Sequence, residues 1–148
     1  SNVEDRDITD DDCIASNIVV ELFGVLRQSD QQSLKANNRE RVLASSLTYI
    51  HHHYSDDIRL NQIVAYACTT TRNLQIIFKS QFDLTPLQYI KRYRLAKFHQ
   101  YLANSNSVTD AAIKSGLRHM GRASEDYRSL FGEKPGVFFT RSRPKLRN

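Results

Sequence analysis

The 148-residue sequence predicts an all-α fold in which two helix–turn–helix subdomains are joined by a long linker helix, with one further helix ahead of them. Two observations carry that prediction. The first is the run at 85–104, TPLQYIKRYRLAKFHQYLAN, which nothing interrupts until Asn104-Ser105-Asn106-Ser107. Thr85 is a good N-cap, and Pro86 suits the first helical position, where its missing N–H costs nothing. The run makes about five turns, roughly 28 Å of helix. Leu87, Ile90, Leu95, Phe98, Tyr101 and Leu102 fall within one broad apolar arc, and Tyr89, Tyr93 and Ala96 gather opposite. A helix that is apolar on two sides sits between two bodies. The second observation is that each flank reads as a short helix, a tight turn and an amphipathic helix, the two units lying about 45 residues apart. A rigid spacer of this length suits two reading heads in successive DNA major grooves, which recur every ~34 Å along one side of the duplex.

Taken in order, residues 1–12 are polar and acidic, with Asp10-Asp11-Asp12 as a helix N-terminal signal. Ile14, Ile18, Leu22, Val25 and Leu26 then recur at helical spacing, predicting a helix over 13–27 that either packs on its own domain or makes a dimer or inter-domain contact. Residues 28–38 are polar and lack periodicity, and read as a linker with the domain boundary inside it. That makes 1–36 an acidic remnant of an upstream domain or linker, and 37–148 the second domain. A helix over 39–54 follows, with Val42, Leu43, Leu47 and Ile50 inward. It ends in His51-His52-His53, but adjacent helical residues point too far apart for three consecutive histidines to hold one metal, and no metal site is read there.

The first head spans about 58–82. Leu60, Ile63, Val64 and Ala67 make a short helix, Cys68-Thr69 a turn, and Thr70 caps a second helix with Leu74, Ile77, Phe78 and Phe82 inward. Its outward side shows Arg72, Gln75, Ile76 and Lys79. Arg and Gln make bidentate hydrogen bonds to guanine and adenine edges, which is why these residue types in this place point to base reading. After the linker helix (about 86–104) comes the second head, about 107–132. Ser107 and Asp110 fit a capping box over a helix with Val108, Ala111 and Ala112 inward. Gly116 supplies the turn, where positive φ is cheap. The next helix, about 121–131, is expected to bury Ala123, Tyr127, Leu130 and Phe131. Gly132 ends it, and Pro135 opens a last short helix over 135–140 carrying Val137, Phe138 and Phe139. A basic, mobile tail follows from Arg141.

Charge sharpens the reading. Residues 1–36 carry eight acidic and three basic side chains, a net −5, while residues 37–148 carry eight acidic and 18 basic, a net +10. Basic residues so concentrated suggest a polyanion partner, most often nucleic acid. No apolar run approaches the ~18 residues of a membrane span, and no secretory signal is visible, so no membrane is expected. Cys13 and Cys68 lack CxxC spacing and read as core residues in a reducing, cytoplasmic setting. There is no initiator Met, and the chain is expected to be the C-terminal piece of a longer protein.

From Arg39 to Arg141 the sequence resembles the DNA-binding domain of the AraC/XylS family of bacterial transcription regulators. The resemblance rests on Leu74-x-x-x-Phe78, Thr85-Pro86-x-x-Tyr89-Ile90 and Arg94-Leu95, then Ala112-x-x-x-Gly116-Leu117 and Phe131-Gly132-x-x-Pro135. The run His119-Met120-Gly121-Arg122, with Tyr127-Arg128 and Gly132-Glu133, is similar to the subgroup that includes ethanolamine-operon regulators. The resemblance implies seven helices, a rigid linker helix that sets two heads in adjacent major grooves, and an activator or repressor of transcription. It implies double-stranded DNA as partner, RNA polymerase as a candidate protein partner, and a small-molecule effector acting only through an absent N-terminal domain. No cofactor is implied. DNA-binding positions fall on Thr70, Arg72, Gln75, Ile76 and Lys79 in the first head, and on His119, Met120, Gly121, Arg122, Glu125 and Arg128 in the second. Four departures stand out: Cys68 where the first turn commonly has Gly, tolerable only at negative φ; Leu117 for a frequent Phe; Ala123 for a larger apolar residue; and Glu125-Asp126 where basic residues are usual.

An enzyme is disfavoured, since there is no phosphate-binding glycine loop, HExxH, paired-Cys pattern or nucleophile elbow. The rival is a helix–turn–helix module that docks another protein, for example RNA polymerase, with only weak DNA binding.

Overall fold

The computed structural model describes residues 31–144, and among these there are seven helices and no strand. They are α1 (Gln31–His53), α2 (Leu60–Tyr66), α3 (Thr71–Phe82), α4 (Pro86–Leu102), α5 (Val108–Lys114), α6 (Met120–Phe131) and α7 (Pro135–Ser142). The helix expected over 13–27 lies outside the described residues. α1 begins inside the stretch expected to be a linker. Residues 31–38 have no apolar stripe to announce a helix, but they continue the turns of a segment that Val42, Ser46 and Ile50 bury.

The chain divides into two units. One contains α1 to His52 together with Ile58–Pro86, and so holds α2 and α3. Its buried side chains are Val42, Ser46 and Ile50 from α1, Ile63 and Ala67 from α2, and Leu74, Ile77 and Phe78 from α3. The i, i+3, i+4 spacing in α3 therefore points its stripe inward as expected. Arg41 ties α1 to the end of α2, donating from one guanidinium nitrogen to the Ala67 carbonyl at 3.2 Å and from another to Asn38 at 3.0 Å. Tyr49 and Tyr66 add a ring contact at 5.2 Å. Ser46 satisfies its buried hydroxyl by donating to the Val42 carbonyl at 2.6 Å.

The other unit comprises His53–Asp57 and everything from Leu87 on. Leu95, Phe98 and Leu102 of α4, Ala111 and Ala112 of α5, and Tyr127 of α6 form its core, with Met120, Phe131, Phe138 and Phe139 packed around them. Phe98 meets the Tyr127 ring edge-on at 5.5 Å, and the Tyr127 hydroxyl lies 2.7 Å from His99 Nδ1. The His99 ring stacks on Phe131 at 4.4 Å. Burial, then the charge of Glu133, pushes the Tyr127 phenol up to about 12, with Arg141 opposing.

Two inward expectations fail at helix ends. Leu87 in the first turn of α4 and Leu130 in the last turn of α6 are exposed, as is Val137 in α7. Periodicity gives a direction around a helix, but not how far along it the packing partner extends. Ala96, expected on a second packed side of α4, is exposed too, while Tyr89 and Tyr93 are half-buried. Arg141 and Arg143, at the start of the stretch expected to be a mobile tail, are held by neighbours, while 145–148 lie outside the described residues. Arg141 holds Glu133 with two hydrogen bonds at 2.6 and 3.0 Å, and Arg143 lies 4.1 Å over Phe139 while donating to the Ser105 carbonyl at 2.6 Å.

Candidate nucleic-acid interface

Each candidate helix starts from a defined turn. In the first unit the Thr70 hydroxyl accepts from the Asn73 N–H at 3.2 Å, fixing the first turn of α3. Its own proton is not used in that bond. The turn before it runs through Cys68 at φ +51°, the left-handed conformation. Negative φ was the expectation there, so Cys68 carries the strain that Gly would avoid, about 1–2 kcal/mol. It is half-buried rather than a core residue, and it is not a free thiol.

The outward side of α3 presents Arg72, Gln75, Ile76 and Lys79, all exposed, around a shallow depression that Ser80 completes. Arg72 and Gln75 stand about one turn apart, and no described residue pairs with either. Ile76, 51% exposed, offers an apolar surface beside them. Lys79 pairs with Asp83 at 2.5 Å, and that lysine holds the Asp83 carboxyl below its usual range. The pair is open to solvent, so giving it up for a phosphate costs little.

In the second unit Ser107 accepts from the Asp110 N–H at 3.0 Å, but the Asp110 carboxylate takes the Asn106 N–H and Lys114 instead of closing the reciprocal box. Gly116 sits at φ +77°, as expected, and a Cβ there would meet the Tyr54 carbonyl oxygen at 2.6 Å. α6 begins at Met120, with His119 exposed at its N-cap and making no capping bond from its side chain. Gly121, Arg122, Glu125 and Arg128 are exposed along α6. Met120 is not: it is half-buried against the core, because position 120 packs where the helix turns inward.

The two neighbouring acids part company. Asp126 is held back by Lys91 of α4 at 2.7 Å, leaving Glu125 as the exposed carboxylate of α6. No sequence spacing could reveal the Lys91–Asp126 pair, because it depends on how α6 lies against α4. The same holds for Arg94, whose guanidinium donates to the Tyr54 carbonyl at 2.6 Å and the Asp56 carbonyl at 2.7 Å. His51, His52 and His53 converge on no metal-binding group among the described residues; His52 instead lies 2.8 Å from the Thr48 carbonyl and His53 3.2 Å from Asp56.

Residues 63–141 match the model of a helix-turn-helix domain family. The XylDLEGF operon transcriptional activator 2 of Pseudomonas putida is 33% identical over 91 residues, 59% of this chain and 58% of that protein. The HTH-type transcriptional activator RhaS of Klebsiella pneumoniae is 31% identical over 130 residues, 86% of this chain but 46% of that protein. The chain thus spans about half the length, or less, of such curated relatives. A crystal structure of a probable AraC family transcriptional regulator from Rhodopseudomonas palustris superposes with a TM-score of 0.64 at 28% identity, covering 70% of this chain and 98% of that one. The DNA-binding domain of AdpA, solved in complex with a target DNA, shares the fold at 22% identity and a TM-score of 0.63, covering 68% of this chain and 92% of that one.

Proposed function

The chain belongs to the AraC/XylS family of helix–turn–helix transcription regulators, and from that premise we propose that it binds double-stranded DNA in a sequence-specific manner as the C-terminal domain of a bacterial, cytoplasmic transcription activator. The observation that carries the reading is the outward side of α3. An exposed guanidinium and an exposed carboxamide stand on a capped helix whose opposite side is buried through Leu74, Ile77 and Phe78. Arg72 is assigned to a guanine edge, Gln75 to an adenine edge and Ile76 to a thymine methyl. Thr70 and Lys79 are assigned to phosphates, which fix register without reading sequence. In the second head Arg122 is the base reader, His119 and Arg128 hold the backbone, and Gly121 lets the helix approach closely. The heads are taken to enter adjacent major grooves. An effector acts through a domain outside this chain, and RNA polymerase is the protein partner to try first.

The division of labour between heads is unequal. Glu125 opposes a phosphate-lined groove, whereas Asp126 is neutralised by Lys91, so the repulsion comes from one carboxylate. The first head therefore supplies most of the base discrimination. Selection of a duplex from a random pool, followed by Arg72→Ala and Gln75→Ala, tests the assignment. Each substitution should cost about 1–3 kcal/mol and relax preference at its own base pair, whereas Lys79→Ala should weaken all sequences alike. Unchanged affinity for the preferred duplex on a folded Arg72→Ala/Gln75→Ala chain would sink it. Exposed Leu130 and Val137, with Glu125 nearby in sequence, favour the second reading, a surface that docks protein.

A further inference from the structure

We propose that Arg94 is a positioning residue for the second reading helix: through the His53–Asp57 segment it sets the place of the turn from which α6 starts. This inference rests on the DNA-binding reading. The segment lies between α1 and α2 in sequence, outside both helix–turn–helix patterns, yet it packs with α4–α7. α4 grips it at separate points. Arg94 donates to two of its carbonyls, those of Tyr54 and Asp56, at 2.6 and 2.7 Å. The Tyr54 and Tyr101 hydroxyls are 2.6 Å apart, and the Tyr54 ring meets Tyr93 edge-on at 5.3 Å.

The other side of the segment bears on the α5–α6 turn. A Cβ on Gly116 would lie 2.6 Å from the Tyr54 oxygen and 2.8 Å from Ser55 Cα, both backbone atoms. The same carbonyl group that Arg94 holds is therefore the one against which the turn is seated. That turn passes from Gly116 through Leu117 and Arg118 into α6, which carries Arg122. A guanidinium suits this post because it presents several N–H donors in a fixed fork and can satisfy two carbonyls at once. Burial, then the nearby charge of Arg118, lowers the Arg94 pKa, with Asp57 and Asp56 opposing; the group stays charged at neutral pH. Arg94 touches no DNA in this account. It acts on recognition by fixing where the turn, and so Arg122, is held.

A double-mutant cycle on duplex affinity tests this, with folded fraction measured for every variant. Arg122→Ala should weaken the parent chain about tenfold, yet weaken the Arg94→Gln chain less than about twofold, because a displaced α6 has already lost the contact. Arg72→Ala should cost the same in both backgrounds, since the first head does not depend on this segment. A residue that merely stabilised the fold would leave both costs unchanged among the folded molecules, and that result overturns the inference. If Arg94→Gln does not fold, Arg94→Lys, which keeps the charge but not the fork, carries the test. It should reduce the Arg122→Ala cost to between about two- and tenfold, and an unreduced cost overturns the inference. A parent chain with no salt-sensitive duplex binding would overturn both this inference and the DNA-binding reading beneath it. A parent chain that binds, with additive Arg94 and Arg122 effects, overturns only the positioning role.

Discussion

Gly116 and Gly132 make a matched pair in which the energetics of the second head can be worked from geometry. Both lie in the left-handed region, at φ +77° and +81°. An alanine at either position bears the conformational cost of that region, about 1–2 kcal/mol. Around Gly132 nothing lies within 4 Å of the added Cβ, so Gly132→Ala should cost only that. At Gly116 the Cβ would also sit 2.6 Å from the Tyr54 oxygen and 2.8 Å from Ser55 Cα. Neither atom is the end of a flexible side chain, so the backbone of the His53–Asp57 segment must move. Overpacking of this kind adds about 1–3 kcal/mol. Gly116→Ala should therefore destabilise by about 2–5 kcal/mol and exceed Gly132→Ala by at least about 1 kcal/mol. Urea unfolding followed by far-UV circular dichroism reads the difference, with equal m-values showing that the unfolded states match. Equal losses for the two variants, or a Gly116→Ala loss under about 1 kcal/mol, would refute the seating of the turn on that carbonyl.

The other perturbations separate fold from recognition. Gly121 has nothing within 4 Å of an added Cβ, so Gly121→Ala should leave stability unchanged or raise it by about 0.5–1 kcal/mol, yet weaken duplex binding by crowding the approach to DNA. Thermal melts with duplex titrations decide it: a Gly121→Ala chain that binds as tightly as the parent removes Gly121 from the interface. Alkaline pH tests the core. The Tyr127 phenol is raised to about 12 from 10.0, so folding favours its neutral form. That contribution is complete below about pH 10 and is lost as pH rises towards 12. Urea midpoints between about pH 8 and 11 should fall less for Tyr127→Phe than for the parent, and parallel curves would contradict this.

Local chemistry was legible in the residues. The Thr70 and Ser107 caps, the left-handed Gly116 and the inward stripe Leu74, Ile77 and Phe78 each follow from neighbours a few positions away, and each stands where expected. The outward residues of α3 were legible for the same reason, since a buried stripe fixes the opposite side. Errors arose where an outcome depends on distant partners or element ends. Leu87 and Leu130 satisfy the helical pattern but lie in terminal turns. Cys68 adopts positive φ because the turn demands it, whatever the residue prefers. Glu125 and Asp126 are adjacent acids in sequence, and only packing against α4 reveals that Lys91 takes one of them. Arg94 was visible as part of a family pattern, but its two carbonyl partners are 38 and 40 residues away.

The most direct test of DNA binding is the affinity of the intact chain for its selected duplex as salt is raised. If Lys and Arg side chains neutralise about six phosphates, counterion release sets a log–log slope near −5, and binding should weaken about 10³-fold between about 50 and 200 mM salt. An affinity that stays within about threefold over that range would contradict the account and favour a protein-docking surface instead.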